Sequence, residues 1–327
     1  MPEIEDSITT LVRLLETNMR LVKDDGSVGK VHVSKEWFDR ELMKNYDAQV
    51  TVGLGGSLDR KIGFSASKRL RVDSPRVSVW VIEKPEAAES GRRIREKMRQ
   101  EINRVIREKR TKPNTTKHTF WNLGQTSVTH KAYEAGAAID LSPGDAEWSE
   151  VSGVGYNKIW ISDDDRHSKS VDVNLQHALL LFRFKIGAKS NVLTQIALSF
   201  EGYGTAPGGN GFLMMVWNYV AQAWQHAQAS DAVAEDRTVT ITLTLNLSNY
   251  VDENGYVWLF ARSYHPSNGV TPAVLYCDYV ECVITVLGIT YADVVSYRDE
   301  DRVDVKPVVW RTEFVLKTWL FENVTVT

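Results

Sequence analysis

From His118 to Val286 the chain falls into short runs in which apolar and polar residues alternate, and helical periodicity is absent throughout. Successive side chains of a strand point to opposite faces, so a chain patterned this way buries itself only by pairing strands into sheets. The runs are Ser127–Tyr133, Lys158–Ser162, His177–Ile186, Leu193–Glu201, Gly211–Tyr219, Arg237–Leu245, Gly255–Ser263 and Ala273–Val286. Turn dipeptides AP, GG and NG stand between them. Strands at this spacing predict an antiparallel β-sandwich, jelly-roll-like. Ten Trp, twelve Tyr and ten Phe agree with that expectation.

The flanking sequence reads differently. Ile8, Leu11, Val12, Leu15, Met19 and Val22 recur at helical spacing behind Asp6 or Ser7 as N-cap, and Asp24-Asp25-Gly26 closes that helix. DAQVTV (47–52) and PRVSVWVIEK (75–84) read as strands, with Gly53–Arg71 between them as a long exposed loop or hairpin tip. Glu89–Arg110 is a helix with one narrow apolar stripe (Ile94, Met98, Ile102, Val105, Ile106) and nine Lys/Arg between Arg92 and Arg110. Thr111–Thr116 ends it, Gly288–Arg302 is a polar connector, and Trp310–Val324 is a strand apolar on both faces. The N-terminal strands are too few for a sheet of their own, so the last strand is expected to return to them. The predicted class is therefore α+β. A discontinuous α/β domain (1–120 plus 288–327) carries an inserted sandwich (121–287).

Composition excludes several functions. At 327 residues the chain exceeds one ordinary domain, and 43% hydrophobic with 25% charged residues is a globular balance. A net charge of −3 gives no global field toward nucleic acid or anionic lipid. The longest uncharged stretch, Gly202–Ser230, is broken by Gly, Pro, Asn and Gln, and so is not a membrane span. MPEIEDSITT has no signal-peptide core, which predicts synthesis and retention on the cytosolic side. Cys277 and Cys282 lie five apart in one run, which places them on opposite faces and argues against a bridge between them.

The chemistry-bearing motifs are few. Phosphate loops, H-E-x-x-H and G-x-S-x-G are absent, and Gly53–Ser57 lacks dinucleotide-loop spacing. The seven His are scattered, so no catalytic residue, cofactor or zinc site is expected. Asp163, Asp164 and Asp165 form either a solvated turn or a hard-cation site such as one for Ca²⁺. Tyr203, Trp217, Tyr219, Trp224, Trp258 and Tyr264 are either core or a sugar-stacking platform, and Trp217 and Tyr219 share a face with Met215. A glycosidase would need facing carboxylates, for which Glu201, Asp278 and Glu281 are the candidates. On the basic helix Glu96, Glu101 and Glu108 sit three or four residues from Arg or Lys, which reads as an ion-pair surface or a subunit contact.

The order of the outer segments resembles a known family. It runs from an opening helix through H-V-S-x-x-W-F (His32–Phe38), D-A-Q-V-T-V, R-V-S-V-W-V and G-R-R-I-R-x-x-M-R-Q-E-I to a closing R-T-E-F-V-L-K-T-W-L-F-E. This is similar to the tail terminator, or neck, proteins of long-tailed viruses of bacteria and archaea. The resemblance implies a virion structural protein, made in the host cytoplasm, whose homohexameric ring joins the tail tube protein to the head–tail connector proteins. DNA would pass through the ring lumen. It brings no catalytic residues. The sandwich departs from a minimal terminator and is similar to virion decoration and carbohydrate-binding modules. On this reading Arg93, Arg104, Phe314 and Trp319 are the expected ring contacts, and the sandwich projects outward. The alternative is an adhesin in which Tyr203, Trp224, Trp258 and Tyr264 stack on a host-surface glycan.

Overall fold

The computed structural model describes residues 3–61 and 68–323. Residues 62–67 of the expected loop and Val324 of the expected last strand lie outside the described residues. In chain order the elements are α1 (Ser7–Asn18), β1 (Val31–Ser34), β2 (Ala48–Lys61), β3 (Lys68–Ile82), α2 (Gly91–Glu108), β4 (Thr115–Thr119), β5 (Lys131–Ala137), β6 (Ser149–Glu150), α3 (Gly153–Asn157), β7 (His167–Val171), β8 (His177–Lys185), β9 (Leu193–Thr205), β10 (Phe212–Asn218), β11 (Ala223–Ala229), β12 (Arg237–Leu243), β13 (Tyr256–Ser263), β14 (Ala273–Val286), β15 (Tyr291–Asp299) and β16 (Val309–Asn323). They form two compact units, one of residues 1–116 with 286–327 and one of residues 117–285. The divisions differ from the expected 120 and 287 because β4 and β14 are neighbouring strands of one sheet and cross both divisions.

The first unit is a five-stranded sheet in the order β1-β2-β3-β16-β15, parallel only between β1 and β2. Asp6 caps α1 by accepting from the Thr9 N–H at 2.8 Å, and Ser90 caps α2 by accepting from that of Arg93 at 3.3 Å. Both helices pack Leu11, Leu14, Leu15, Met98, Ile102 and Val105 into one core with Val50, Val79, Phe314 and Leu316 of the sheet. Arg13 is buried beside Glu5, which takes two of its N–H groups at 2.6 Å each. Helix α1 ends at Asn18, before Val22, which instead bridges Val28 around the Asp24–Gly26 turn.

Two polar segments, one read as a loop or hairpin tip and one as a connector, hold strand. β2 runs to Lys61 and β3 starts at Lys68, so the described part of Gly53–Arg71 is a paired hairpin. Its exposed residues and the register shift between Leu54 and Ser57 hide the alternation. Gly288–Arg302 holds β15, which pairs with β16 from Tyr291 to Asp299. Backbone pairing needs no apolar face, so charged sequence such as this conceals an edge strand.

The second unit is the sandwich. One sheet has six strands in the order β11-β10-β13-β8-β5-β6, and the other has the order β12-β9-β14-β4 with β7 paired to β14. Phe182 (β8) and Phe212 (β10) meet Phe200 (β9) at 6.0 and 4.8 Å between the sheets. Lys158–Ser162 is not a strand: the chain there leaves α3, capped by Ser152, and makes a single bridge from Trp160 to Tyr279. Ser127–Tyr133 starts late, as β5 at Lys131. The edge strands β6, β7 and β11 carry too little alternation to be read in advance. Cys277 and Cys282 both point inward and are free, against the expectation of opposite faces. Burial along β14 changes phase between Cys277 and Asp278, which are both buried, and the odd spacing is absorbed there.

Candidate functional site

On β8 the residues Leu180, Phe182 and Phe184 are buried between the sheets, which turns Leu179, Leu181, Arg183 and Lys185 to the outer face. That face divides in two. One part is covered: Leu179, Leu181, Met215 and Phe260 form a small core under Leu141, Trp148 and Trp224. The other part is half-buried, with Tyr133 and Trp258 packed against the edge of that core, and is crossed by a row of directly opposed residues, Lys131 on β5, Arg183 on β8 and Trp258 on β13. Lys185 and Tyr256 are opposed in the next row. The Arg183 guanidinium lies 4.3 Å above the Tyr256 ring and 5.8 Å from that of Trp258, and Tyr133 tilts against Trp258 at 6.1 Å. Lys185 adds a second cation 5.8 Å from the Tyr256 ring. Lys131 binds Glu150 at 2.7 Å, and the Tyr156 hydroxyl donates to the same carboxylate oxygen at 2.9 Å. Flat half-buried rings beside fixed donors are the chemistry of a site that stacks on an apolar ring face and hydrogen-bonds its rim.

The four aromatics singled out from sequence are separated by the fold. Trp258 is on this platform. Trp224 belongs to the covered core, stacked on Phe260 at 4.9 Å with its Nε1–H donating to the Leu141 carbonyl at 2.9 Å. Tyr203 is on β9 of the opposite sheet, stacked on Tyr276 at 4.4 Å, and Tyr264 follows β13 against His265. One continuous platform of all four is therefore excluded. Tyr133, Arg183 and Tyr256 were not identified from sequence, although alternation counted outward from Phe182 and Leu259 points to the last two.

The acidic candidates are also rearranged. Asp164 joins Asp236 and Asp278, with carboxylate oxygens all within 4.8 Å of one another. Asp163 contributes its N–H to Asp278 at 3.4 Å, and Asp165 is held outside by Lys158 at 2.6 Å. The donor set suits a hard cation, but Arg166 already lies between two of its members. Its guanidinium donates to Asp236 at 2.5–3.0 Å and to Asp164 at 2.6 Å. Burial raises the Asp278 carboxyl above the ordinary range, with Asp236 adding to it. Glu201 is raised by burial too, and by repulsion from Asp278, Asp236 and Asp164. Glu281, the third glycosidase candidate, instead binds Lys117 at 2.5 Å.

In the first unit the expected ring contacts are mostly used internally. Phe314 is fully buried in the core and cannot reach another subunit. Arg104 binds Glu101, Glu108 and the Asn18 carbonyl at 2.5–2.9 Å. Arg93 faces Asp24 at 3.7 Å, and Trp319 stacks on Tyr291 at 4.7 Å. Among the described residues no helix is long and apolar enough to cross a membrane.

The second unit is thus of the β-sandwich class, with an aromatic and cationic outer face. Residues 127–286 match a family model described as "Uncharacterized protein, C-terminal domain". Among solved structures the chain is similar to a CBM4 module at 12% identity (TM-score 0.23, 35% of this chain and 92% of that one). It is also similar to a family 29 carbohydrate-binding module complexed with cellulohexaose at 10% identity (TM-score 0.26, 54% and 94%). A xylan-binding module, CBM15, is similar at 9% identity (TM-score 0.27, 52% and 95%). Likenesses at these TM-scores leave the chemistry to be argued from the residues themselves. Among curated proteins nothing matches.

Proposed function

We propose that the chain is a non-enzymatic glycan-binding protein whose sandwich holds a saccharide on the outer face of β5, β8 and β13. The observation that carries this reading is the row Lys131–Arg183–Trp258, which sets a half-buried indole beside two cationic donors on rigid paired strands. Trp258 stacks on a sugar ring, and Arg183 and Lys131 hydrogen-bond its hydroxyl or carboxyl groups. The neck-ring reading has weaker support, since Phe314 and Arg104 are engaged within their own subunit. Its hexamer, tail-tube and connector partners remain proposals carried by sequence order alone.

Titration calorimetry of the full chain against a panel of neutral and acidic oligosaccharides tests the reading. Binding of at least one glycan is expected, weakened at least about tenfold by Trp258→Ala with the chain still folded in a cooperative thermal melt. A panel without binding, or binding indifferent to Trp258→Ala, overturns it.

A further inference from the structure

We infer that the ligand of this platform is an acidic glycan, one whose sugar rings carry carboxylates; this rests on the glycan-binding reading and narrows it. The reason is a charge imbalance on the outer face. Arg183, Lys185 and Lys131 gather within two adjacent rows of opposed residues, and among the described residues Glu150 is the one carboxylate paired with any of them. Arg183 has no carboxylate partner among the described residues, and its guanidinium is held instead over the Tyr256 and Trp258 rings. Elsewhere in the same unit arginines are matched: Arg166 with Asp236 and Asp164, and Arg262 with Asp140 at 3.0 Å.

A guanidinium held over Tyr256 and Trp258 keeps its edge in the plane where a planar anion binds best. The rings beneath restrict its rotamers, so less conformational freedom is lost when an anion docks. A neutral sugar hydroxyl would accept a guanidinium N–H but leave the positive charges of Arg183 and Lys185 uncompensated. A uronate carboxylate neutralises one of them while its pyranose ring rests on Trp258. Lys185, more exposed, sits one row away, where the next residue of a polymer would place its own carboxylate.

The experiment compares each acidic oligosaccharide (galacturonate, mannuronate, guluronate and glucuronate series) with its methyl ester, which keeps the ring and removes the charge. The full-length chain is titrated with both forms at low and moderate salt. The acid form is expected to bind at least about tenfold tighter than the ester, and the margin should shrink as salt rises. Arg183→Gln should erase the preference, and Arg183→Lys should keep part of it, which separates loss of charge from loss of fold. Equal affinity for acid and ester, or a preference untouched by Arg183→Gln, overturns the acidic-ligand inference while leaving glycan binding in place. Absence of binding by either form and by neutral glycans overturns both.

Discussion

Three residues concentrate unlike electrostatics, and each gives a measurable pH or ion response. His130 is buried, and its Nδ1 accepts from the Lys185 N–H at 3.1 Å, which requires the neutral ring. Burial, with Arg183 adding, lowers it to about 4 from 6.5. The unfolded chain therefore takes up a proton before the folded one does as pH falls. Stability present above pH 6.5 is lost as pH falls toward 4, by up to about 3 kcal/mol. Urea melts at pH 7 and 4.5 should show a smaller acid loss in His130→Gln than in the natural chain; equal losses would remove His130 from the account. Asp278 has the opposite sign. Its raised carboxyl makes folding weaken as pH rises from the ordinary carboxylate range through the raised value. Arg166 compensates that acidic cluster, so calcium and chelator melts of the natural chain should nearly coincide. Arg166→Met should lower stability by about 1–3 kcal/mol and make the midpoint rise with added calcium. A calcium-dependent midpoint in the natural chain would contradict the compensation.

At the scale of elements, one strand face serves as both core and site, according to what covers it. Trp224 on β11 and Trp258 on β13 lie on the same side of the sheet and both pack against the core that holds Leu141, and Trp224 is tied to it further by its bond to the Leu141 carbonyl. Trp224→Ala is expected to cost about 3 kcal/mol of stability, and Trp258→Ala less. Thermal unfolding of the two variants checks this, and the reverse order would mean that the covered and half-buried parts are misassigned. In the first unit β16 is a central strand between β3 and β15, with Phe314 on its helix-facing side. Phe314→Ala should cost about 3–5 kcal/mol with unfolding of that sheet. An effect confined to oligomeric state in light scattering would restore Phe314 as a subunit contact.

For the whole molecule, the chain passes from one unit to the other where β4 and β14 run side by side. The Val286 N–H donates to the Asn114 carbonyl at 3.0 Å, and the Asn114 side chain returns a bond to the Val286 carbonyl at 2.8 Å. The first unit thus sees residues 117–285 as a loop whose two ends are already together. Residues 117–285 expressed alone should unfold in one cooperative β-type transition. Residues 1–116 joined to 286–327 through a short Gly/Ser linker should keep α1 and α2 by circular dichroism. If both pieces are unfolded, the units depend on a common core and the two-unit division fails.

Sequence alone determined what backbone period and local capping control. The alternation of His177–Ile186, Gly255–Ser263 and Ala273–Val286 located β8, β13 and β14 within a residue or two. The stripe from Ile94 to Ile106 gave the buried face of α2, and the Asp6–Ser7 pair gave the start of α1, with Asp6 as the cap. These features depend on neighbours in the chain, and the chain records them. Tertiary structure decided which faces are covered and which charges meet. Asp164, Asp236 and Asp278 come from three distant segments, and nothing local to any of them encodes their approach within 4.8 Å. Arg183 and Trp258 become opposed only through the register of β8 against β13. Trp224 is removed from the candidate platform by a segment more than 75 residues away in sequence, through Leu141 and Trp148. Register and cover come from long-range pairing, in which every strand has several apolar partners of similar chemistry, and a single chain read along its length does not rank them.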